Sequence, residues 1–193
     1  YADLIFSSLT KSFAGRGDIL SGALVISPKS QWSKELKNIL QGSTLAPLSD
    51  ADSIALEETS RDVKDRITQL NEACLSLKTR LEAHPAVARV LHPDSCPNFQ
   101  ALMRSGAGHG CLLSFELVGG LSKAKKVYDA LEICKGPSLG TNFTLVCPYV
   151  LLAHYQELLW ARRCGVPSDL LRVSVGLEDP EKLWGLFQKA LQS

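Results

Sequence analysis

One lysine near the start of the sequence lies among hydroxyl-bearing residues and glycines. The segment SSLTKSFAGRGDILSG, residues 7–22, contains Lys11, and we call it the lysine loop. A lysine amine can form a Schiff base when desolvation or nearby cations lower its pKa. Ser8 and Thr10 are two residues apart, so both hydroxyls can face one anion, and the glycines allow sharp backbone turns. The loop therefore has the residues of an anion-binding site with a reactive amine at its edge.

The residue types alone leave a simpler interpretation of Lys11 open. A lysine in a turn of serines and glycines is more often a solvated turn residue than a catalytic one. The lysine loop is not a P-loop, because the pattern G-x-x-x-x-G-K-[ST] is absent. The four histidines are far apart in sequence and show no metal-binding spacing, so we expect no metal site.

The composition is that of an ordinary globular protein. Of the 193 residues, 45% are hydrophobic and 21% are charged, and the net charge of +1 points to neither nucleic acid nor a membrane as a partner. Six cysteines without a C-x-x-C pair favour reduced thiols and a cytoplasmic location. The most apolar stretch, residues 143–161, contains Pro148, His154 and Glu157 and is too polar to cross a bilayer. The chain begins at Tyr1 without a methionine, and we expect it to be the C-terminal piece of a longer protein.

Two short apolar runs flank the lysine loop. Residues 4–6 and 23–26 are bounded by serines and glycines and predict buried strands. Helices are predicted over residues 30–40 and 49–85, and a serine or an aspartate can cap the second one. This second helix is longer than ordinary globular helices, so we expect a break inside it.

The rest of the chain alternates strands and helices. We predict strands over residues 87–91, 111–117 and 170–174, a loop over 92–110, and helices over 122–134, 149–164 and 180–191. Short links join these elements, and this alternation predicts an α/β or α+β fold.

Three segments, in order along the chain, resemble one enzyme family. The lysine loop carries Ser8, Thr10, Lys11, Gly15, Asp18 and Gly22 in the pattern S-x-T-K-x-x-x-G-x-x-D-x-x-x-G. Residues 136–140 (GPSLG) and 171–178 (LRVSVGLE) carry the patterns S-L-G and R-x-S-V-G-x-E. These patterns resemble the pyridoxal-phosphate lysine signature, the substrate-side segment and the C-terminal arginine strand of the Cys/Met-metabolism enzymes. The resemblance covers essentially the whole chain and is greatest to the fungal cystathionine γ-synthase-like branch.

The resemblance implies a fold and a division into domains. It implies an α/β fold of the fold-type-I pyridoxal-phosphate (PLP)-dependent transferases, which are aspartate aminotransferase-like. Residues 1–48 would be the end of the large PLP-binding domain and would carry the Schiff-base lysine. Residues 49–193 would form a long linking helix and a small C-terminal α+β domain.

The resemblance also implies roles for five residues. Lys11 would hold pyridoxal 5'-phosphate as a Schiff base and then move protons. Ser8 and Thr10 would bind the cofactor phosphate. Arg172 would bind the substrate α-carboxylate, since a planar, permanently charged guanidinium suits a carboxylate. Ser138 would help to orient that carboxylate.

The implied reaction is γ-replacement on an O-acylhomoserine by a nucleophile such as cysteine, carried out by a homodimer or homotetramer in sulfur amino-acid metabolism. The chain departs from the family pattern at Pro137 and at residues 141–143, on the two sides of the S-L-G motif. A cystathionine β- or γ-lyase therefore stays open as an alternative. The family's aspartate for the pyridine nitrogen would lie upstream of Tyr1, so a non-catalytic fragment that assembles with a full or complementary subunit also stays open.

Overall fold

The computed structural model describes residues 2–43 and 46–193, and the chain divides into two compact units. The first unit is Tyr1–Val63 and the second is Lys64–Ser193. The boundary between the units falls beside the break in the predicted long helix. The domain boundary at residues 48 and 49 that the resemblance implies stays a prediction.

The first unit contains a two-stranded antiparallel sheet and two helices. These elements are β1 (Leu4–Ser8), β2 (Gly22–Ile26), α1 (Ser33–Gly42) and α2 (Asp50–Ser60). The lysine loop joins the two strands, which pair from Leu4 opposite Ile26 to Ser8 opposite Gly22. The Ser49 hydroxyl accepts a hydrogen bond from Asp52 N and caps α2, as the sequence predicts.

The two strands occur where the sequence predicts them, but the prediction that they are buried is wrong. Ile5 is 55% exposed, Phe6 73% and Val25 54%. Both faces of a two-stranded ribbon carry apolar side chains here, and the helices of this unit bury none of their own residues. Continuous apolar runs predict strands that are covered on both faces, and the described part of this unit does not provide that cover.

The second unit is a five-stranded mixed sheet with helices. Its strands are β3 (Val87–Leu91), β4 (Leu112–Leu117), β5 (Cys134–Lys135), β6 (Leu145–Pro148) and β7 (Leu171–Ser174), in the spatial order β3-β4-β7-β6-β5. All neighbouring strands are antiparallel except β5 and β6. The main helices are α3 (Val63–Glu82), α4 (Pro97–Leu102), α5 (Gly120–Ala130), α6 (Tyr149–Ala153), α7 (Leu158–Arg163) and α8 (Pro180–Leu191).

The core of the second unit forms where one face of the sheet meets α3, α5 and α8. Strand β4 alternates buried and half-buried residues, as a sheet with one covered face requires. Phe115 from β4 and Phe187 from α8 are fully buried, and their rings meet edge to face with centroids 6.3 Å apart. The apolar face of each element is thus buried against its neighbours, and this core positions β7.

Several boundaries differ from the sequence predictions for local reasons. The break between α2 and α3 confirms the expected interruption of the long helix. The predicted loop over 92–110 contains a 3-10 turn and α4, both of which begin at prolines in favourable first-turn positions. The predicted helix over 149–164 is interrupted at His154, whose backbone leaves the helical region at φ −131° and ψ 25°. No helix in the described part of the chain is long and apolar enough to span a membrane.

Candidate active site

Backbone hydrogen bonds give the lysine loop a defined turn. Ala14 N donates to Leu9 O at 2.9 Å, and Gly15 N donates to Lys11 O at 2.8 Å. Gly15 then has φ 72°, in the left-handed region where a side chain is disfavoured. The glycine of the signature at this position therefore lets the chain leave the turn that carries Lys11. The side chain of Lys11 is half-buried.

Thr10 closes the lysine loop across its two ends. Its hydroxyl donates to Ser21 O at 3.2 Å and accepts from Ser21 N at 2.9 Å. The backbone amides of Leu9 and Thr10 donate to the same Ser21 carbonyl. Because a hydroxyl has only one proton to donate, Thr10 would have to release Ser21 O before it could donate to a phosphate.

Ser8 is the second hydroxyl that the resemblance assigns to the phosphate. It is half-buried at the end of β1, opposite Gly22. An aldehyde that carries a phosphate requires one amine and nearby hydrogen-bond donors. The lysine loop provides both groups, with Lys11 three residues after Ser8, so its donor set fits pyridoxal phosphate.

Asp18, the acidic residue of the signature, pairs with Arg16 in the same loop. Arg16 Nη2 lies 2.7 Å from Asp18 Oδ2, and both side chains are about half exposed. The ion pair spans Gly17, which has φ 78°. Asp18 thus contributes to the exit of the turn.

The second unit brings Arg172 and Ser138 together. Arg172 lies on β7, and its Nη2 donates to Ser138 O at 3.1 Å and also to Pro137 O. The contact uses the carbonyl of Ser138, and the role that the resemblance gives Ser138 in orienting the substrate carboxylate stays a prediction. The N–H groups on Nε and Nη1 of Arg172 meet no oxygen acceptor within residues 2–43 and 46–193. The guanidinium is therefore held through Nη2, the nitrogen that both of its two-donor edges share.

Residues 136–144, which we call the serine segment, are fixed to the chain around β7. Gly140 N donates to the buried Ser174 Oγ at 2.8 Å. The Glu178 carboxylate accepts from Thr144 N at 2.6 Å and from the Thr144 hydroxyl at 2.7 Å. These contacts hold the middle and the C-terminal end of the serine segment near the strand that carries the arginine.

Gly176 allows the serine segment to approach this closely. A Cβ at Gly176 would lie 2.5 Å from the backbone of Phe143, closer than atoms can pack. Gly176 N also donates to the Thr144 hydroxyl at 2.9 Å. Ser174, Gly176 and Glu178 belong to the pattern around Arg172, but no sequence rule assigned them a partner. Their alternate spacing was the signal that they share one side of the chain after the arginine.

The neighbour of Arg172 across the sheet is a thiol. Cys147 on β6 pairs with Arg172 in the β6–β7 register. Burial raises the pKa of the Cys147 thiol, and the nearby guanidinium opposes this shift in part. The thiol is therefore more weakly acidic than a free cysteine, and it lies in hydrogen-bonding contact with the guanidinium.

The histidines of the described residues make local contacts. His92 Nδ1 lies 2.9 Å from Asp94 Oδ1, and His154 Nδ1 lies 2.6 Å from Glu157 Oε1. Across residues 2–43 and 46–193, no three His, Cys, Asp or Glu side chains are arranged to hold a metal ion. Lys11, Ser8 and Thr10 belong to the first unit, and Ser138 and Arg172 belong to the second.

The crystal structure of cystathionine gamma lyase (CalE6) from Micromonospora echinospora has the same arrangement of strands and helices, with a TM-score of 0.82 at 28% identity over 100% of this chain and 51% of that chain. The crystal structure of cystathionine γ-lyase from Lactobacillus plantarum complexed with L-serine matches the chain with a TM-score of 0.86 at 23% identity. The match covers 100% of this chain and 51% of that chain. The fold is therefore the α/β fold of the fold-type-I PLP-dependent enzymes.

Sequence comparison then gives the family. The Cys/Met metabolism PLP-dependent enzyme family matches residues 1–192. Cystathionine gamma-synthase of Neurospora crassa is 42% identical over 195 residues, and that of Saccharomyces cerevisiae is 36% identical over 205. The chain belongs to the Cys/Met metabolism PLP-dependent enzyme family, which confirms the resemblance noted in the sequence. Both matches cover 100% of this chain but only 31% and 32% of the relatives, so the chain spans about a third of their length.

Proposed function

We propose that the protein is a PLP-dependent enzyme that catalyses γ-replacement on an O-acylhomoserine, with a thiol such as that of cysteine as the nucleophile. One observation carries the proposal: over its whole length the chain is similar to two proteins named cystathionine gamma-synthase. Both site motifs, in the lysine loop and around Arg172, lie inside the matched range.

Lys11 has the central role in this proposal. Its amine holds the cofactor, and Ser8 donates a hydrogen bond to the phosphate. Bound pyridoxal phosphate supplies the electron sink for the reacting carbons of the substrate. When it is not holding the cofactor, the neutral Lys11 amine would take a proton from the substrate Cα, release that proton, and only then take one from Cβ. Thr10 keeps the turn closed around it through Ser21.

Arg172 binds the α-carboxylate of the amino-acid substrate. Its Nη2 is held by two carbonyls of the serine segment, and no oxygen of the described residues accepts from Nε or Nη1. A carboxylate that accepts two parallel hydrogen bonds must use Nη2 with Nε or Nη1, so the substrate would replace one of these carbonyls in a short, charge-assisted pair. The serine segment would thereby fix the direction from which the carboxylate is bound.

The proposal includes an assembly and a location. We propose that the intact protein is a homodimer or homotetramer in the cytoplasm. Its partners in the reaction are an amino-acid substrate and a small nucleophile, without nucleic acid or membrane.

The test is a product assay on the full-length protein with bound pyridoxal phosphate. O-Acetylhomoserine or O-succinylhomoserine is mixed with cysteine, and the products are separated by mass spectrometry. We expect cystathionine as the main product, and we expect Lys11→Ala to remove it while Lys29→Ala, an exposed lysine of the same unit, leaves it unchanged.

Two other outcomes would each replace the proposal. If 2-oxobutyrate and ammonia form and cystathionine does not, the protein is a lyase of the same family. If the full-length protein forms neither product and does not cleave cystathionine, both enzyme assignments are wrong. The protein is then a non-catalytic subunit.

A further inference from the structure

The guanidinium of Arg172 is held by a second contact that lies outside the motifs. Its carbon Cζ is 5.4 Å from the centre of the Tyr149 ring. A guanidinium within about 6 Å of an aromatic face is attracted by the ring's electrons, and more strongly when the pair is shielded from water. Both side chains are half-buried. The arginine is therefore held by an aromatic face as well as by the carbonyls of the serine segment.

The backbone around Tyr149 is fixed by the sheet. Cys147 pairs with Arg172 across the β6–β7 ladder, and Tyr149 follows two residues later. Tyr149 comes directly after Pro148, the last residue of β6, which pairs with Leu171. Tyr149 N donates to Leu170 O at 3.2 Å, which extends the ladder to the first residue of α6. The ring thus starts from a backbone position that the core of the unit determines.

The ring of Tyr149 is held in turn by a histidine. The His154 ring meets it edge to face, with centroids 5.5 Å apart. His154 Nδ1 lies 2.6 Å from Glu157 Oε1, which restrains the imidazole. The three groups form a stack that ends at the guanidinium.

We propose that Tyr149 is a positioning residue: its ring fixes the plane of the Arg172 guanidinium in which the substrate α-carboxylate is bound. This inference rests on the proposed function, in which Arg172 binds that carboxylate. A long arginine side chain loses much rotamer freedom when it binds. The ring removes part of that freedom before the substrate arrives, so less is lost on binding.

The test compares two ligands that differ only at the carboxyl group. L-Methionine and L-methioninamide are titrated into the full-length protein with bound pyridoxal phosphate, and the absorbance of the cofactor reports each dissociation constant. We expect Tyr149→Leu to raise the dissociation constant of L-methionine by about 2- to 30-fold, the range of a cation–π contact. L-Methioninamide should change by less than 2-fold, and Tyr149→Phe should keep wild-type affinity for both ligands.

Controls separate positioning from folding. Tyr149→Met has an unbranched, flexible side chain that fits irregular apolar space, and it should show the same selective loss if Tyr149→Leu does not fold. In Arg172→Lys, which lacks the planar fork, a second change at Tyr149 should have no further effect on L-methionine. The inference would be overturned if Tyr149→Leu weakened the binding of both ligands equally. It would also be overturned if Tyr149→Phe bound L-methionine as weakly as Tyr149→Leu does.

The same titrations distinguish failure of the inference from failure of the proposed function. Suppose that Arg172→Lys weakens the binding of L-methionine but not of its amide, while Tyr149→Leu has no selective effect. Arg172 then binds the carboxylate, and the role proposed for Tyr149 is wrong. If Arg172→Lys binds L-methionine as the wild type does, the carboxylate site is elsewhere, and both statements are wrong.

Discussion

The two units carry their functional residues in different ways. In the second unit, Arg172 lies on a strand whose neighbours in sequence, Leu171 and Val173, are fully buried in a core. In the first unit, the buried apolar residues among those described are Ala14 and Ile19, both inside the lysine loop. The arginine is thus positioned by a core, whereas the lysine is positioned by hydrogen bonds and packing within its own loop.

The segment to which we assign catalysis therefore lies outside the larger of the two hydrophobic cores. Strand β4 alternates buried and half-buried residues, while the first four residues of β1 are all exposed. A two-stranded hairpin is marginally stable in water, and three or more strands with a packed face are needed for independent stability. We therefore expect the two units to behave differently when they are studied separately.

The largest expected effect comes from expressing each unit alone. Residues 64–193 should unfold in one cooperative transition with a free energy of about 5–15 kcal/mol, because they contain their own core. Residues 1–63 alone should show no cooperative transition. Circular dichroism during thermal and urea unfolding measures both. A cooperative transition of residues 1–63, or the absence of one for residues 64–193, would contradict the claim that only the second unit is stable by itself.

A smaller effect is expected from matched aromatic truncations. Phe187→Ala removes a fully buried ring and should lower the free energy of unfolding by about 3–5 kcal/mol. Phe6→Ala removes a ring that is 73% exposed in the first unit and should change it by less than about 0.5 kcal/mol. Urea unfolding of the chain measures both. A loss at Phe6 as large as that at Phe187 would show that the first unit is packed in solution.

Two glycines of the second unit test how tightly the serine segment packs near Arg172. Gly176→Ala places a methyl group against the backbone of Phe143 and should lower the free energy of unfolding by about 1–3 kcal/mol. Gly185→Ala, in α8 with open space around it, should raise it by about 0.5–1 kcal/mol. Opposite signs in urea unfolding are expected, and a neutral Gly176→Ala would mean that the serine segment is loosely held.

The smallest expected effect is a pH dependence within the second unit. Burial acts to raise the pKa of Asp94, but hydrogen bonds from Lys78, His92 and Ser95 outweigh it and hold that pKa well below the usual value of 3.8. A depressed carboxyl pKa stabilises the fold above the unfolded pKa, and this stability is lost as the pH falls through the folded pKa.

Asp94→Asn should therefore destabilise the chain by about 1–2 kcal/mol at neutral pH. The difference from the wild type should shrink as the pH falls below about 4. Unfolding by urea at a series of pH values measures it, with Glu57→Gln as the control at a fully exposed ion pair. A difference that stays constant down to the lowest pH would contradict the assigned role of the carboxylate.

The sequence was sufficient to predict those elements whose structure depends on residues close together in the chain. Asp179 caps α8 and Pro180 occupies its first turn, so both the helix and its start follow from neighbouring residues. The turn of the lysine loop follows from its glycines in the same way. The family resemblance added the assignment of Lys11 and Arg172, which residue types alone left open.

The features that the sequence did not predict depend on contacts between residues that are far apart in the chain. Strand β6 was not predicted from the sequence, because its four residues lie in the most apolar stretch and directly precede the predicted helix over 149–164. Thr144 meets Glu178 across 34 positions, and no local pattern predicts that pairing. The Tyr149 contact with Arg172 arises from the β6–β7 register. Exposure of β1 and β2 depends on which segments cover them, and this is a tertiary property.

The central claim is that Lys11 is the residue that holds pyridoxal phosphate. The most direct measurement is to incubate the full-length protein with pyridoxal phosphate, reduce it with borohydride, and map the peptides by mass spectrometry. We predict one pyridoxyl group on the peptide that contains Lys11, lost in Lys11→Ala and kept in Lys29→Ala. A label spread over exposed lysines, or a single label on another lysine, would contradict the account.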